Sequence, residues 1–113
     1  MTRNAGTRPN QTPRRDHLTL LTDELRQRLP PLLTTRNEKD PVVQARLHAP
    51  GTTFEWFVVE GSSFGTDYMF YGYALGAQPG WGNFLLSHIT SEDCPFLVRD
   101  AAFTPKPFSH ISR

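Results

Sequence analysis

The chain has 113 residues, 37% hydrophobic and 20% charged, with a formal net charge of +1. That length suits one domain with a core of its own, and the near-neutral balance gives no global reason to expect nucleic acid. Cys94 is the only cysteine, which excludes an intramolecular disulfide scaffold, and no apolar run approaches the roughly 20 residues of a membrane helix.

Residues 1–15 contain Arg3, Arg8, Arg14 and Arg15, no acid, and only Met1 and Ala5 as apolar residues. Too little apolar surface is present to offset the entropy of ordering. Residues 1–16 are therefore expected to form a flexible basic tail, and 17–113 a single domain. The arginines have no apolar segment behind them, as a secretory signal would, so the expected location is cytoplasmic.

Leu18, Leu21, Leu25 and Leu29 recur every three to four residues and predict an amphipathic helix within 17–29. Thr22 is a candidate N-cap, with Asp23 and Glu24 in the first turn, and Pro30-Pro31 ends the helix. Thr34 to Asp40 reads as a polar loop. From Pro41 onward, Val43, Ala45 and Leu47 alternate with Gln44, Arg46 and His48, which predicts a strand with one wet face.

After a turn at Ala49–Thr52 comes the part of the chain richest in aromatic residues, from Phe54 to Phe84. Its glycines and turn residues, without helical spacing, predict strands joined by turns. Phe54–Glu60 and Tyr68–Leu75 are the second and third strands, with 61–67 a loop. Gly72 marks a bulge or a close backbone approach. Residues 76–82 form the next turn, and Asn83–Leu86 a short fourth strand. A helical turn is expected within Ser87–Cys94 and a last strand over 96–103, followed by a loose proline-rich end. The expected fold is α+β: an antiparallel sheet of about five strands, with the N-terminal helix on one face and the other face uncovered.

Several blocks resemble the domain of unknown function family 2958, whose members are small proteins often encoded on bacterial plasmids and integrative elements. They are Leu29-Pro30-Pro31-Leu32, Lys39-Asp40-Pro41, Trp56 with its aromatic neighbours, and Phe70-Tyr71-Gly72-Tyr73 with Gly76. Gly82-Asn83-Phe84-Leu85-Leu86-Ser87, Arg99-Asp100 and Phe103-Thr104-Pro105-Lys106-Pro107 complete them. The resemblance spans about residues 20–110. It implies a setting on mobile DNA and supplies no reaction. The family is usually acidic after Ser87, where this chain has His88, so no role for that carboxylate carries over.

No catalytic motif accompanies these blocks. Cys94 follows Glu92 and Asp93, which disfavour a thiolate. Ser62, Ser63 and Ser87 lack the glycine pattern of a nucleophile elbow. The histidines at 17, 48, 88 and 110 are scattered, without metal-ligand spacing, and Gly61–Asp67 lacks the lysine and following helix of a phosphate loop. No cofactor or metal is expected. A surplus of aromatic residues without a catalytic set suits protein binding, with Trp56, Tyr71, Tyr73 and Trp81 as the expected contact residues. The interaction surface is expected on the uncovered face, at an edge strand, or in loops 61–67 and 76–82. One alternative is a nucleic-acid binder using Arg3, Arg8, Arg14, Arg15 and the aromatic face. Another is an enzyme with a loop-built site around His88, Arg99 and Asp100. For Arg99 and Asp100, ion pairs with Asp40, Lys39 or Glu60 are expected.

Overall fold

The computed structural model describes residues 20–76, 79–90 and 97–111. The basic tail, with its four arginines, and Cys94 lie outside them. Helix α1 (Asp23–Arg28) is followed by β1 (Val42–Val43), β2 (Ala45–His48), β3 (Glu55–Phe64), β4 (Asp67–Leu75) and β5 (Gly80–Leu85). Then come a single helical turn, α2 (Leu86–Ile89), the short strands β6 (Val98–Arg99) and β7 (Lys106–Pro107), and a 3-10 turn over Phe108–His110. The fold is α+β: a five-stranded antiparallel sheet in the order β5-β4-β3-β2-β6, with a separate two-stranded ribbon of β1 and β7. No helix among the described residues is long and apolar enough to cross a membrane.

Helix α1 starts where the cap chemistry places it. The Thr22 hydroxyl accepts a bond from the Leu25 amide at 3.2 Å, satisfying one of the free N–H groups of the first turn. Leu29 leaves the helix in an extended conformation ahead of Pro30. Leu25 and Leu29 join Leu20, Leu21, Leu47, Val58, Phe70, Leu86, Ile89 and Leu97 in one buried cluster on this side of the sheet. Six helical residues cannot hold a helix alone, so this burial is what stabilises it.

The opposite face differs from the expectation that it is uncovered. Val43, Phe57 and Val59 form a second buried cluster, against which Tyr71, Tyr73, Leu75, Phe103, Phe108 and Ile111 pack. The C-terminal segment is thus a strap rather than a loose end. Asp40 ties it down by accepting from the Ser109 amide at 2.8 Å and the Ser109 hydroxyl at 2.6 Å, and the Phe108 amide donates to the Pro41 carbonyl at 2.9 Å. The Ser109 bonds, first the hydroxyl and then the amide, hold the Asp40 carboxyl below its ordinary value.

Three other strand expectations are corrected. Val43, Ala45 and Leu47 do not share a face: Val43 belongs to the strap-side cluster, and Ala45 and Leu47 to the helix-side one. The chain switches sheets at Gln44, whose amide still reaches the Val58 carbonyl at 2.8 Å. Residues 61–67 are not a loop, because Gly61, Ser62 and Ser63 pair with Phe70, Met69 and Tyr68. The turn shrinks to Gly65-Thr66, where Gly65 has φ +63°. Of the expected last strand over 96–103, the described residues from 97 onward form a strand only at Val98–Arg99.

Between Val58 and Glu60 the β3–β4 register shifts: Val58 opposes Gly72, Glu60 opposes Tyr71, and Val59 is the extra residue. A bulge bends its strand toward the partner, and here a Cβ on Gly72 would lie 2.0 Å from the Phe57 carbonyl oxygen. Gly72→Ala is therefore expected to destabilise the protein by at least about 1–3 kcal/mol. Gly82→Ala, whose Cβ would meet nothing within 4 Å, is expected to leave the urea midpoint nearly unchanged.

Candidate interaction site

The bulge decides where Glu60 points. Simple alternation from Val58 would turn its side chain toward α1. The extra residue instead places it on the strap side with Val59 and Tyr71. There Glu60 is wholly buried. An unpaired buried carboxylate is costly, and this one is paired in full by the loop after α1. The Leu33 amide donates to Oε1 and the Thr35 amide to Oε2, both at 2.7 Å. The Thr35 hydroxyl donates to Oε2, and Arg36 Nε to Oε1 at 3.1 Å.

The loop runs along a stretch of β3 that β2 leaves unpaired. The Gly61 amide donates to the Pro30 carbonyl at 3.0 Å, and the Leu32 amide donates to Ser62 Oγ at 2.9 Å. Closing around the carboxylate forces Leu33 to φ +76° with its side chain exposed, an uncommon state for a non-glycine residue. Burial pushes the Glu60 carboxyl up. The Thr35 hydroxyl, the Leu33 and Thr35 amides and Arg36 outweigh it and hold the group below the usual glutamate value.

Arg36 carries this arrangement to the surface. Its guanidinium lies 3.6 Å from the centre of the Tyr71 ring, and Nη2 donates to Asn83 Oδ1 on β5 at 3.2 Å. Tyr71 stacks on Trp81 at 5.7 Å, and Tyr73 meets Trp81 edge-on at 5.4 Å. Phe108 of the strap touches both Tyr73 and Trp81, at 5.1 and 4.6 Å. Trp81 is 41% exposed. Between these rings and the loop runs a groove of about 200 Å³, lined by Thr35, Arg36, Glu38, Lys39, Tyr71 and Trp81 among others.

The structure brings Tyr71, Tyr73 and Trp81 together and separates Trp56 from them. Trp56 lies on the helix side of the sheet, stacked with Phe54 and tilted against Phe84, so the four expected contact residues do not form one surface. Arg36 and Phe108 are not among the expected contact residues, and Lys39 and Glu60 are expected only as ion-pair partners of Arg99 and Asp100. A detectable signal was Glu60 itself, an acid closing the apolar run Phe57-Val58-Val59. Two-residue periodicity cannot show the bulge that orients it.

His88, Arg99 and Asp100 do not converge. His88 is exposed on α2, just after edge strand β5, whereas Arg99 and Asp100 lie at the β6 edge. Arg99 binds Thr22 Oγ1 and Glu24 on α1 at 3.3–3.4 Å. Arg46 bridges Asp100 at 3.0 Å and Glu55 at 2.6 Å. These replace the expected pairings with Asp40, Lys39 or Glu60. The Ala102 amide, opposed by burial and assisted by Arg46, holds the Asp100 carboxyl below its ordinary value. A larger cavity of about 460 Å³ lies between Leu21, Asp23 and Arg26 near α1 and Thr66, Asp67, Tyr68, Leu86 and Ser87. In it Asp67 accepts from the Ser87 amide and hydroxyl and so anchors the start of α2. Among the described residues, its lining contains no histidine to serve as a base for Ser87. Among the described residues, no three His, Cys, Asp or Glu side chains are grouped to hold a metal.

Compared with known proteins, the chain matches no family model, no curated protein and no solved structure.

Glu60→Ala is expected to strand the Leu33, Thr35 and Arg36 donors and to cost about 3–5 kcal/mol, as for a broken buried ion pair. The pH dependence has a fixed sign. The folded-state pKa is lowered, so the contribution of Glu60 is complete above the unfolded value of about 4.3 and disappears as pH falls through the folded one. Urea midpoints between about pH 5 and 2.5 are expected to fall more steeply for the natural protein than for Glu60→Gln.

Proposed function

We propose that this is a small cytoplasmic accessory protein of a mobile genetic element that acts by binding another protein, through the ridge of Tyr71, Tyr73 and Trp81. The observation that carries this is the half-exposed Trp81, supported from behind by three aromatic rings and flanked by a groove whose far wall holds Arg36 and Lys39. A rigid aromatic side chain that loses little entropy on contact, beside an arginine, is the composition of binding hot spots. Arg36 is fixed by Glu60, Asn83 and Tyr71 before any partner arrives, which lowers the ordering cost of binding. The setting on mobile DNA rests on the resemblance of the blocks from Leu29-Pro30-Pro31-Leu32 to Phe103-Thr104-Pro105-Lys106-Pro107.

One observation favours single-stranded nucleic acid as a second ligand: Arg36 and Lys39 stand beside stacked rings, the combination that holds unpaired bases. The pairing of Arg36 with Glu60 counts against it, because among the described residues it leaves Lys39 as the cation of the groove lining that makes no ion pair.

The test is a binding screen against the products of neighbouring coding regions, with single-stranded oligonucleotides in parallel. Trp81→Ala is expected to weaken the partner complex at least about 30-fold, equivalent to about 2 kcal/mol, and to lower the melting temperature as well, because its contacts with Tyr71, Tyr73 and Phe108 are lost. Trp56→Ala is expected to lower stability without removing a contact to the partner, which separates the two effects. Affinity unchanged by Trp81→Ala overturns the assignment of this face. Tight salt-sensitive oligonucleotide binding in place of protein binding favours the second ligand.

A further inference from the structure

The two edges of the main sheet are treated differently. Strand β6 at one edge is only two residues long and carries Arg99, which is tied to Glu24. Short length and charge are ordinary guards against edge-to-edge pairing. Strand β5 at the other edge runs six residues, Gly80-Trp81-Gly82-Asn83-Phe84-Leu85, with no charged side chain and no proline. Among the described residues no strand pairs with its outer side. In an antiparallel ladder alternate residues direct their N–H and C=O groups away from the existing neighbour. The outer edge of β5 therefore presents a row of main-chain groups suited to another extended strand.

We propose that the occupant is the β5 strand of a second copy, paired antiparallel about a two-fold axis through Asn83. A two-fold axis perpendicular to the sheet keeps the helix side of both copies on the same face, so residues must pair with partners of matching orientation. With Asn83 opposite Asn83 of the second copy, Trp81 falls opposite Leu85 and Gly82 opposite Phe84. All four are uncharged, so no like charges meet across the seam. The Gly82–Phe84 pairing lets an aromatic ring cover a glycine, a recognised device for stabilising glycine at an edge. Centring on Gly82 instead places Trp81 opposite Asn83 and Gly80 opposite Phe84, and loses the apolar Trp81–Leu85 contact. The product is a continuous ten-stranded sheet in which the two Trp81 ridges lie on the same face. A seam of two short strands falls at or below the lower end of stable interface areas, about 1,200 Å², so the dimer is expected to be weak and concentration-dependent.

Sedimentation equilibrium of the full chain from about 1 to 500 µM tests this. The natural protein is expected to show a reversible monomer–dimer equilibrium. Gly82→Lys is expected to weaken it at least ten-fold, by setting a charge against Phe84 of the other copy. A Cβ at position 82 meets nothing within 4 Å in the single chain, and an unchanged melting temperature of Gly82→Lys would confirm that the fold survives the longer side chain. Asn83→Cys, in a Cys94→Ser background, tests the register independently: an oxidised dimer linked through position 83 should form at low micromolar concentration and reverse with a reductant. A protein that stays monomeric at 500 µM and does not cross-link at position 83 overturns the proposal. So does a dimer indifferent to Gly82→Lys, or a monomer that takes up an unrelated extended peptide along β5 instead.

Discussion

The fold turns on one buried carboxylate. Glu60 sits where a strand should place an apolar residue, and it stays ionised because four donors from Leu33 to Arg36 converge on it. The dependence runs both ways. Without the carboxylate, the loop has no reason to hold Leu33 in a left-handed conformation. Without the loop, the charge is buried unpaired, which costs several kcal/mol. The bulge at Val59 makes the arrangement possible, and the bulge in turn requires the missing side chain at Gly72. A backbone irregularity, a glycine, a strained leucine and an ion pair thus form one unit, and the aromatic ridge is its outward end.

The ridge inherits its rigidity from that unit. Arg36 is shared between Glu60 on the inside and Tyr71 and Asn83 on the outside. Trp81 rests on Tyr71 and is held from the other side by Phe108 of the strap. The strap depends in turn on Asp40, at the end of the same loop. The segment from Pro30 to Asp40, polar and unremarkable in sequence, therefore organises both walls of the groove.

Much of the frame was legible in the sequence. The helix start at Thr22, its end at Pro30, the alternation of β4 into Phe70/Gly72 and Tyr71/Tyr73, and the tight approach at Gly72 all follow from local chemistry that the tertiary structure does not override. The failures share one cause. The strap over Phe103–Ile111, the split of Val43 from Ala45, and the inward turn of Glu60 are set by contacts between segments far apart in the chain. Ser62 and Ser63 looked like loop residues by composition, yet pairing with Met69 and Tyr68 carries them into a strand, because sheet context outweighs individual β-propensity. Residue type alone does not distinguish Trp56 from Tyr71, and only the register shows that the two rings face opposite layers.

That separation of the indoles gives the protein a built-in pair of optical reporters. The chain has two tryptophans, one embedded beside Phe54 and Phe84 in the helix-side layer and one on the strap-side surface. Their emission samples different halves of the structure. With either indole replaced by phenylalanine, the remaining fluorescence separates detachment of the C-terminal strap from loss of the layer beneath α1, two events that a single whole-protein signal would merge.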